Sequence, residues 1–323
     1  MRRMIPLMLL VLASGVSSAA AQDWPSKPMT MVVPFAAAGG TDLIGRVVGK
    51  RLGELLGQQV IIENVPGAGG MLGSARVVKA PPDGYQFVVG TTADAINQTL
   101  YKAPLYNFSA DLVPAGLLGS QPTVMLTRKD FPANNLQEFA AHAKASQAPL
   151  QMASAGIGST GHLFCNLLNV ALGISVTHVP YRGGGPAMQD LIAGRTDYIC
   201  TLSATAKTLI DGNTAKAIAI LQRDRIALIP DLPSTREQGL PDFETNTWFG
   251  LFFPKHTPEA IIRKLNTAIG ATLETPEVLE QFKKIVTIAT PPDQRSVEYL
   301  QQLVERETAK MGAAIRGAAI QQF

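Results

Sequence analysis

Apolar runs of strand length alternate with amphipathic runs of helical period along most of the chain. Residues 29–35 form a mostly apolar run that is typical of a buried strand, and residues 42–56 repeat apolar positions on one helical face. The strand–loop–helix order then recurs, which predicts an α/β fold with mainly parallel sheets. Further strands are predicted at 60–63, 85–89, 151–153, 176–179, 198–202, 217–221 and 247–253.

The helices between these strands have recognisable starts. Thr41 or Asp42 is a suitable N-cap for the first helix, and Pro186 suits the first position of another. The predicted helices cover 42–56, 72–80, 136–146, 160–172, 186–193, 205–211, 260–272 and 296–314.

Glycine-rich turns follow several predicted strands, at residues 36–40, 64–70, 155–161 and 181–185. Ligands of open α/β sheets bind outside the carboxyl ends of the strands, so these turns mark a binding edge. Residues 117–127 hold two apolar pieces around Gln121 and Pro122, which we interpret as a crossing into a second lobe. The prediction is a clamshell with lobe 1 at 22–122 plus 247–323 and lobe 2 at 123–246.

The first residues have the pattern of a signal peptide. Arg2 and Arg3 precede an apolar run at residues 4–12, and alanines follow up to Ala21. We therefore expect cleavage after Ala21 (signal peptide 1–21) and export of the mature chain; a buried N-terminal helix is the alternative. The apolar run is shorter than the ~20 residues of a membrane-spanning helix.

The net charge, the two cysteines and the spacing of the histidines limit the kinds of partner and site that the chain can have. The chain has 28 basic and 25 acidic residues, so removal of Arg2 and Arg3 leaves a net charge of +1, which argues against a nucleic-acid partner. Cys165 and Cys200 are a candidate disulfide in an exported chain, or else two buried thiols. The four histidines lack metal-ligand spacing, so no metal site is predicted.

The turn at residues 155–161 allows several interpretations. Gly156, Gly158 and Gly161 match G-x-G-x-x-G, but a dinucleotide site expects an acidic residue about 20 positions later, where Arg182 stands. No cofactor is therefore predicted. A strand, a flexible turn and a helix N-terminus also suit a carboxylate, which accepts from free backbone N–H groups. A tight turn without a ligand is the remaining alternative.

A hydrolase would use Ser154 or Ser159 with His162. The chain contains no G-x-S-x-G motif, and no acidic residue is evidently placed to orient His162. Packing or capping in the first helical turn is the simpler role for His162. No catalytic residue is assigned.

Motifs along nearly all of the mature chain, in order, resemble those of the periplasmic solute receptors of tripartite tricarboxylate transporters, the Bug-type receptors. The matching stretches are WPSKP at 24–28, VVPFAAAGGTD at 32–42, ENVPGAGG at 63–70, PDGY at 82–85, AIN at 95–97 with LY at 100–101, the turn at 155–162, VPYRGGGPA at 179–187 with DL at 190–191, and WFGL at 248–251 with Pro254.

This resemblance implies a two-lobed Venus-flytrap that binds a small organic acid and delivers it to a membrane permease. It implies a periplasmic, monomeric receptor without enzymatic activity. A periplasmic hydrolase or isomerase on the same scaffold, or a receptor that signals to a sensor protein, is the alternative. The identity of the acid is left open.

The resemblance also implies which residues bind. By position, the first turn contributes Phe35, Ala36, Gly39, Gly40 and Asp42, and the second contributes Ala155, Gly156, Ser159 and Thr160. Thr92, Asn97 and Arg182 complete the predicted ligand-binding set. Asp42 either selects among ligands or serves only as an N-cap, and Arg182 either adds a cation or is a surface residue. Ala38 stands where a third glycine is common in the family.

Overall fold

The computed structural model describes residues 24–323. The predicted signal peptide and its cleavage site lie outside these residues. The strands of the described part are β1 (Met29–Val33), β2 (Val60–Asn64), β3 (Gln86–Thr91), β4 (Leu112–Arg128), β5 (Leu150–Ser154), β6 (Val176–Pro180), β7 (Tyr198–Leu202), β8 (Ala215–Ile220), β9 (Asn246–Pro254) and β10 (Ile288–Ala289). Its α-helices are α1 (Gly40–Leu56), α2 (Met71–Val78), α3 (Thr92–Leu100), α4 (Phe108–Asp111), α5 (Leu136–Ala145), α6 (Thr160–Leu172), α7 (Gly184–Ile192), α8 (Ser203–Asp211), α9 (Glu259–Thr272), α10 (Pro276–Lys284) and α11 (Val297–Gly317).

Two sheets share strand β4. The strand order is β2-β1-β3-β9-β4-β7-β5-β6, and β10 and β8 pair with β4 beside this path. In the first sheet β1 to β4 run in one direction, and β9 and β10 run in the other. In the second sheet β5 to β8 share a direction opposite to that of β4. The predicted α/β fold with mainly parallel strands in each lobe is confirmed.

Each sheet is covered by helices on both faces, which explains why its central strands are mostly apolar on both sides. In β1, Met29 and Met31 pack in one core cluster with α1 and α9, whereas Val32 packs in another with α2 and α11. A third cluster joins Ile96 of α3 to Phe164 of α6 and therefore lies between the lobes.

The crossing between the lobes is one long strand, in which the two apolar pieces on either side of Gln121 and Pro122 lie end to end. Pro122 is the last residue of β4 that pairs with β9, opposite Asn246, and Thr123 is the first that pairs with β7. Proline has no backbone N–H to donate to a neighbouring strand. Pro122 stands where β4 changes its pairing partner, so the missing donor does not interrupt either ladder.

Several helix boundaries also differ from the prediction. Helix α1 begins at Gly40 with Gly39 as its N-cap, so neither Thr41 nor Asp42 is the N-cap. Two adjacent glycines allow this earlier start. Helix α7 begins at Gly184, which places Pro186 at its third position. Helices α3 and α10 were not predicted, although α3 carries a capping box and α10 has proline in its first turn.

Two kinds of feature are absent from residues 24–323. None of the helices there combines the length and apolar character needed to cross a bilayer. That part of the chain also contains no group of three His, Cys, Asp or Glu side chains arranged around a common metal position.

Candidate functional site

A small cavity lies between the lobes where the N-termini of α1 and α6 meet. Its volume is about 40 Å³, which is room for ~3 water-sized groups. The residues that line it are Phe35, Gly39, Gly40, Thr41, Thr91, Ala155, Ser159, Thr160, Gly161, Gly184, Cys200, Thr201, Leu202, Thr205 and Thr247. The predicted site residues among them are Phe35, Gly39, Gly40, Ala155, Ser159 and Thr160.

The turn between β1 and α1 forms one wall of this cavity. Ala38 lies in the left-handed region with φ 65°. Gly39 is the N-cap of α1, and no side chain of the described residues caps the helix there. Because Gly40 and Thr41 line the cavity, the free N–H groups and the positive dipole end of α1 lie beside it.

Asp42 holds this turn in place from within lobe 1. Its carboxylate is buried and accepts from Ala38 N at 3.0 Å, from Arg46 Nε at 2.9 Å and from Asn64 Nδ2 at 2.9 Å. Burial raises the pKa of this carboxyl, but the hydrogen bonds from Arg46, Asn64 and Ala38 outweigh burial and leave the pKa below its ordinary value. Asp42 is not among the cavity-lining residues; it fixes the backbone of Ala38.

The turn between β5 and α6 forms the opposite wall. Gly156 and Gly158 have φ values of 119° and 85°, which a residue with a side chain rarely adopts. Ser159 is the N-cap of α6, and its Oγ accepts from His162 N at 3.3 Å. The N-terminus of α6 therefore meets that of α1 across the cavity.

A disulfide fixes α6 against the sheet of lobe 2. The Sγ atoms of Cys165 in α6 and Cys200 in β7 are 2.04 Å apart. Gly161 allows the helix to come this close, since a Cβ there would lie 2.3 Å from Cys200 O. The last glycine of the G-x-G-x-x-G pattern therefore serves helix–strand packing.

Hydroxyl groups dominate the polar lining of the cavity. Besides Ser159 and Thr160, they come from Thr41, Thr91, Thr201, Thr205 and Thr247, and the described lining residues carry no charged side chain. Thr247 Oγ1 is buried and has no hydrogen-bond partner within residues 24–323. The sequence interpretation missed Thr91, Thr201, Thr205 and Thr247. These threonines stand at the ends of β3 and β7, at the start of α8 and at the start of β9. Because ligands bind at the carboxyl edge of such sheets, these positions could have identified them as site residues.

Thr92 and Asn97 lie near the cavity but do not line it. Thr92 Oγ1 accepts from Trp248 N at 3.1 Å, which ties α3 to strand β9. Asn97 Nδ2 donates to Gly69 O at 3.2 Å, and a Cβ on Gly158 would lie 2.1 Å from Asn97 Oδ1. Both residues therefore support the region where lobe 1 meets the second turn.

Arg182 lies in a separate, more open crevice of about 470 Å³. Ala155, Gly156 and Ile157 form one side of this crevice, and the segment at 66–69 forms another. Arg182 is exposed. Ala36, which was also predicted, contacts the turn of lobe 2 at Gly183, where a Cβ would lie 2.6 Å from Ala36 Cβ.

The two lobes touch each other directly around the cavity. Tyr101 Oη donates to Ile157 O at 3.1 Å, and Ser203 Oγ donates to Val286 O at 2.8 Å. Each bond joins a residue of one lobe to a residue of the other. The structure is therefore a closed form of the clamshell.

The two histidines lie behind the cavity, and Ser154 pairs with His178 rather than with His162. Ser154 Oγ lies 2.6 Å from His178 Nε2, whereas the predicted partner His162 accepts from Gly158 N at 3.4 Å through Nδ1. None of these side chains is among the cavity-lining residues. In the described part of the chain, neither imidazole is hydrogen-bonded to a carboxylate.

Comparison with known proteins gives a family match over most of the chain. The model of the tripartite tricarboxylate transporter family receptor matches residues 44–319. A relative from Agrobacterium vitis, the UPF0065 protein in the TAR-I ttuE-ttuC' intergenic region, is 38% identical over 301 residues, covering 93% of this chain and 87% of the relative.

Solved structures with the same fold contain carboxylates. MatC from Rhodopseudomonas palustris, solved with bound malate, matches with a TM-score of 0.87 at 36% identity, covering 90% of this chain and 100% of MatC. The R. palustris protein Rpa4515, solved with adipate, matches with a TM-score of 0.89 at 29% identity and covers 93% of this chain and 100% of Rpa4515.

Proposed function

Because the chain belongs to the tripartite tricarboxylate transporter receptor family, we propose that it captures a small organic acid between its lobes and delivers it to a transporter permease. The observation that carries this proposal is the convergence of the α1 and α6 N-termini on one uncharged, hydroxyl-lined cavity. Two helix ends supply N–H donors and positive potential to one carboxylate. The malate and adipate bound by structural relatives support the same class of ligand.

The residues around the cavity would divide this task. Phe35, Gly39, Gly40, Ala155, Ser159 and Thr160 would contact the carboxylate. Ala36, Asp42, Thr92, Asn97 and Gly156 would shape the turns and the closed lobe contact. Arg182, in the neighbouring crevice that shares Ala155 with the cavity, would face the outer part of a longer ligand. The protein would bind without turnover and return its ligand unchanged.

The organisation of the chain fits a receptor that closes on its ligand. We assign residues 22–122 and 247–323 to lobe 1 and residues 123–246 to lobe 2. The first boundary then falls between Pro122 and Thr123, where β4 changes its pairing partner. Closure would then stabilise the form that a permease recognises. The signal-peptide pattern and the family support a periplasmic monomer whose leader is removed after Ala21.

Thr160→Val is expected to weaken binding of the organic acid by ~10-fold or more, because a hydrogen bond to a charged group contributes about 1.5–3 kcal/mol. A thermal-shift screen of malate, adipate and other carboxylic acids first identifies the acid with the largest effect. A saturating acid, at about 100 times its Kd, raises the free energy of unfolding by about 2.7 kcal/mol. Isothermal titration calorimetry then compares wild type and variant.

Thr177→Val is the matched control, since Thr177 is exposed on β6 of the same lobe, away from the cavity. It should leave the affinity unchanged. The proposal fails if no carboxylic acid raises the melting temperature, and the assignment of Thr160 fails if both variants bind like wild type.

A further inference from the structure

Two buried side chains, Ser154 and His162, and the half-buried His178 form a cluster behind the turn at residues 155–158. Ser154 Oγ accepts from Gly156 N at 3.1 Å and lies 2.6 Å from His178 Nε2. His162 Nδ1 accepts from Gly158 N at 3.4 Å. The two imidazole rings have centroids 4.3 Å apart. The cluster therefore holds two backbone N–H groups of the second turn.

These contacts indicate which proton positions satisfy both hydrogen bonds. Ser154 Oγ accepts from Gly156 N and donates its own proton to His178 Nε2 when that nitrogen is unprotonated. His162 Nδ1 must also be unprotonated, since it accepts from Gly158. Two neutral rings, His178 with its proton on Nδ1 and His162 with its proton on Nε2, therefore satisfy both sets of contacts.

The surroundings offer little to stabilise a charged ring. A titratable side chain from another element, Tyr101 after α3, lies beside the turn: its Oη donates to Ile157 O at 3.1 Å. The uncharged ring of Phe323 lies 6.2 Å from that of His162. Burial and the neighbouring His178 lower the pKa of His162 to about 3, and burial lowers the pKa of His178 to about 4. A proton on His162 would turn an acceptor for Gly158 N–H into a second donor.

We propose that His162 and His178 are positioning residues that hold the turn at 155–158 in its binding shape, and that both must be neutral for this. The proposal rests on the proposed function, because it assigns the turn to carboxylate binding. Neither histidine touches the ligand; each acts through a backbone N–H or through Ser154.

The first test needs no ligand. Imidazole ¹⁵N spectra of the full-length mature protein report the proton positions of both rings, and amide exchange reports the Gly158 N–H. Both rings should remain neutral at pH 5.5, where an ordinary imidazole is about 90% protonated. Protonated rings at pH 5.5 with unchanged Gly158 exchange would overturn the proposal.

The second test compares variants that keep or remove the acceptors. His162→Asn places Oδ1 where Nδ1 accepts, and His178→Gln places Oε1 where Nε2 accepts, whereas His162→Phe and His178→Leu remove both acceptors. The Gly158 amide should exchange at least ~10-fold faster in His162→Phe, by loss of its hydrogen bond, and like wild type in His162→Asn. Affinity for malate and adipate should fall ~10-fold in the acceptor-less variants and recover in Asn and Gln variants.

His256→Asn is the control, because His256 is exposed in lobe 1 and already has a positive φ that asparagine tolerates. Equal behaviour of His162→Asn and His162→Phe would overturn the positioning role.

If neither malate nor adipate binds wild type, the binding function is in doubt, but the ¹⁵N and exchange results still decide whether the histidines hold the turn. If His162→Phe does not fold, the wild-type ¹⁵N result decides alone.

Discussion

Gly69→Ala is expected to fold and yet to bind its organic acid at least ~10-fold more weakly than wild type. Gly69 follows β2 in lobe 1, and a Cβ there would lie 2.4 Å from Ile157 O and 2.7 Å from Gly158 C. Both are backbone atoms of lobe 2, so no side-chain movement removes the overlap. The cost falls on the closed form alone, and about 1.4 kcal/mol is enough for a tenfold change in affinity.

Gly57→Ala separates this effect from backbone strain. Gly57 ends α1 in the same lobe with φ 69°, close to the φ 61° of Gly69, but has no atom within 4 Å of an added Cβ. Both variants should lose about 1–2 kcal/mol of stability from a left-handed alanine. Thermal melts and calorimetric titration with the best acid should show similar melting losses, but weaker binding for Gly69→Ala only. Equal affinities would mean that binding does not require this closed contact.

Features that depend on local sequence could be predicted well. Buried strands read as mostly apolar runs, and glycine-rich turns after β1, β2 and β5 mark the carboxyl edge. The family match and structural relatives confirm the two-lobed α/β fold and the resemblance. Helix starts were less predictable, because Gly39 and Gly40 permit α1 to begin before Asp42, which is then available to hold Ala38.

The rest of the site depends on tertiary contacts that no local pattern reveals. Thr201, Thr205 and Thr247 reach the cavity from β7, α8 and β9, which are remote in sequence from both predicted turns. Asp42 is oriented by Asn64 from the end of β2. The pairing of Ser154 with His178 instead of His162 follows from the parallel register of β5 and β6, in which Met152 lies opposite His178.

Strand β4 links the site to the rest of the molecule. It pairs with β9 in lobe 1 and with β7 in lobe 2, and the first and last residues of these ladders meet at Pro122 and Thr123. Thr247 and Cys200, on those two partner strands, both line the cavity. A rotation of the lobes at β4 therefore changes the cavity itself.

Removal of the disulfide is expected to lower stability strongly while leaving binding within a few-fold of wild type. The bridge closes a loop between residues separated by 35 positions. A disulfide across a loop of this length lowers the entropy of the unfolded chain and so raises the free energy of unfolding by about 3–4 kcal/mol. In Cys165→Ala/Cys200→Ala the melting temperature should fall by about 10 °C, given ~2–4 °C per kcal/mol in proteins of this size. Binding should persist, because buried Leu163, Phe164 and Leu168 also hold α6.

Reductant provides the decisive control for this prediction. Dithiothreitol should lower the melting temperature of the wild type toward that of the double variant, and it should leave the variant unchanged because no thiol remains to respond. Two buried thiols, the alternative that the sequence leaves open, would give a wild type insensitive to reductant. That result would contradict the bridge. A loss of binding in the folded variant would instead show that the disulfide, and not the buried side chains of α6, sets the position of the α6 N-terminus at Ser159 and Thr160.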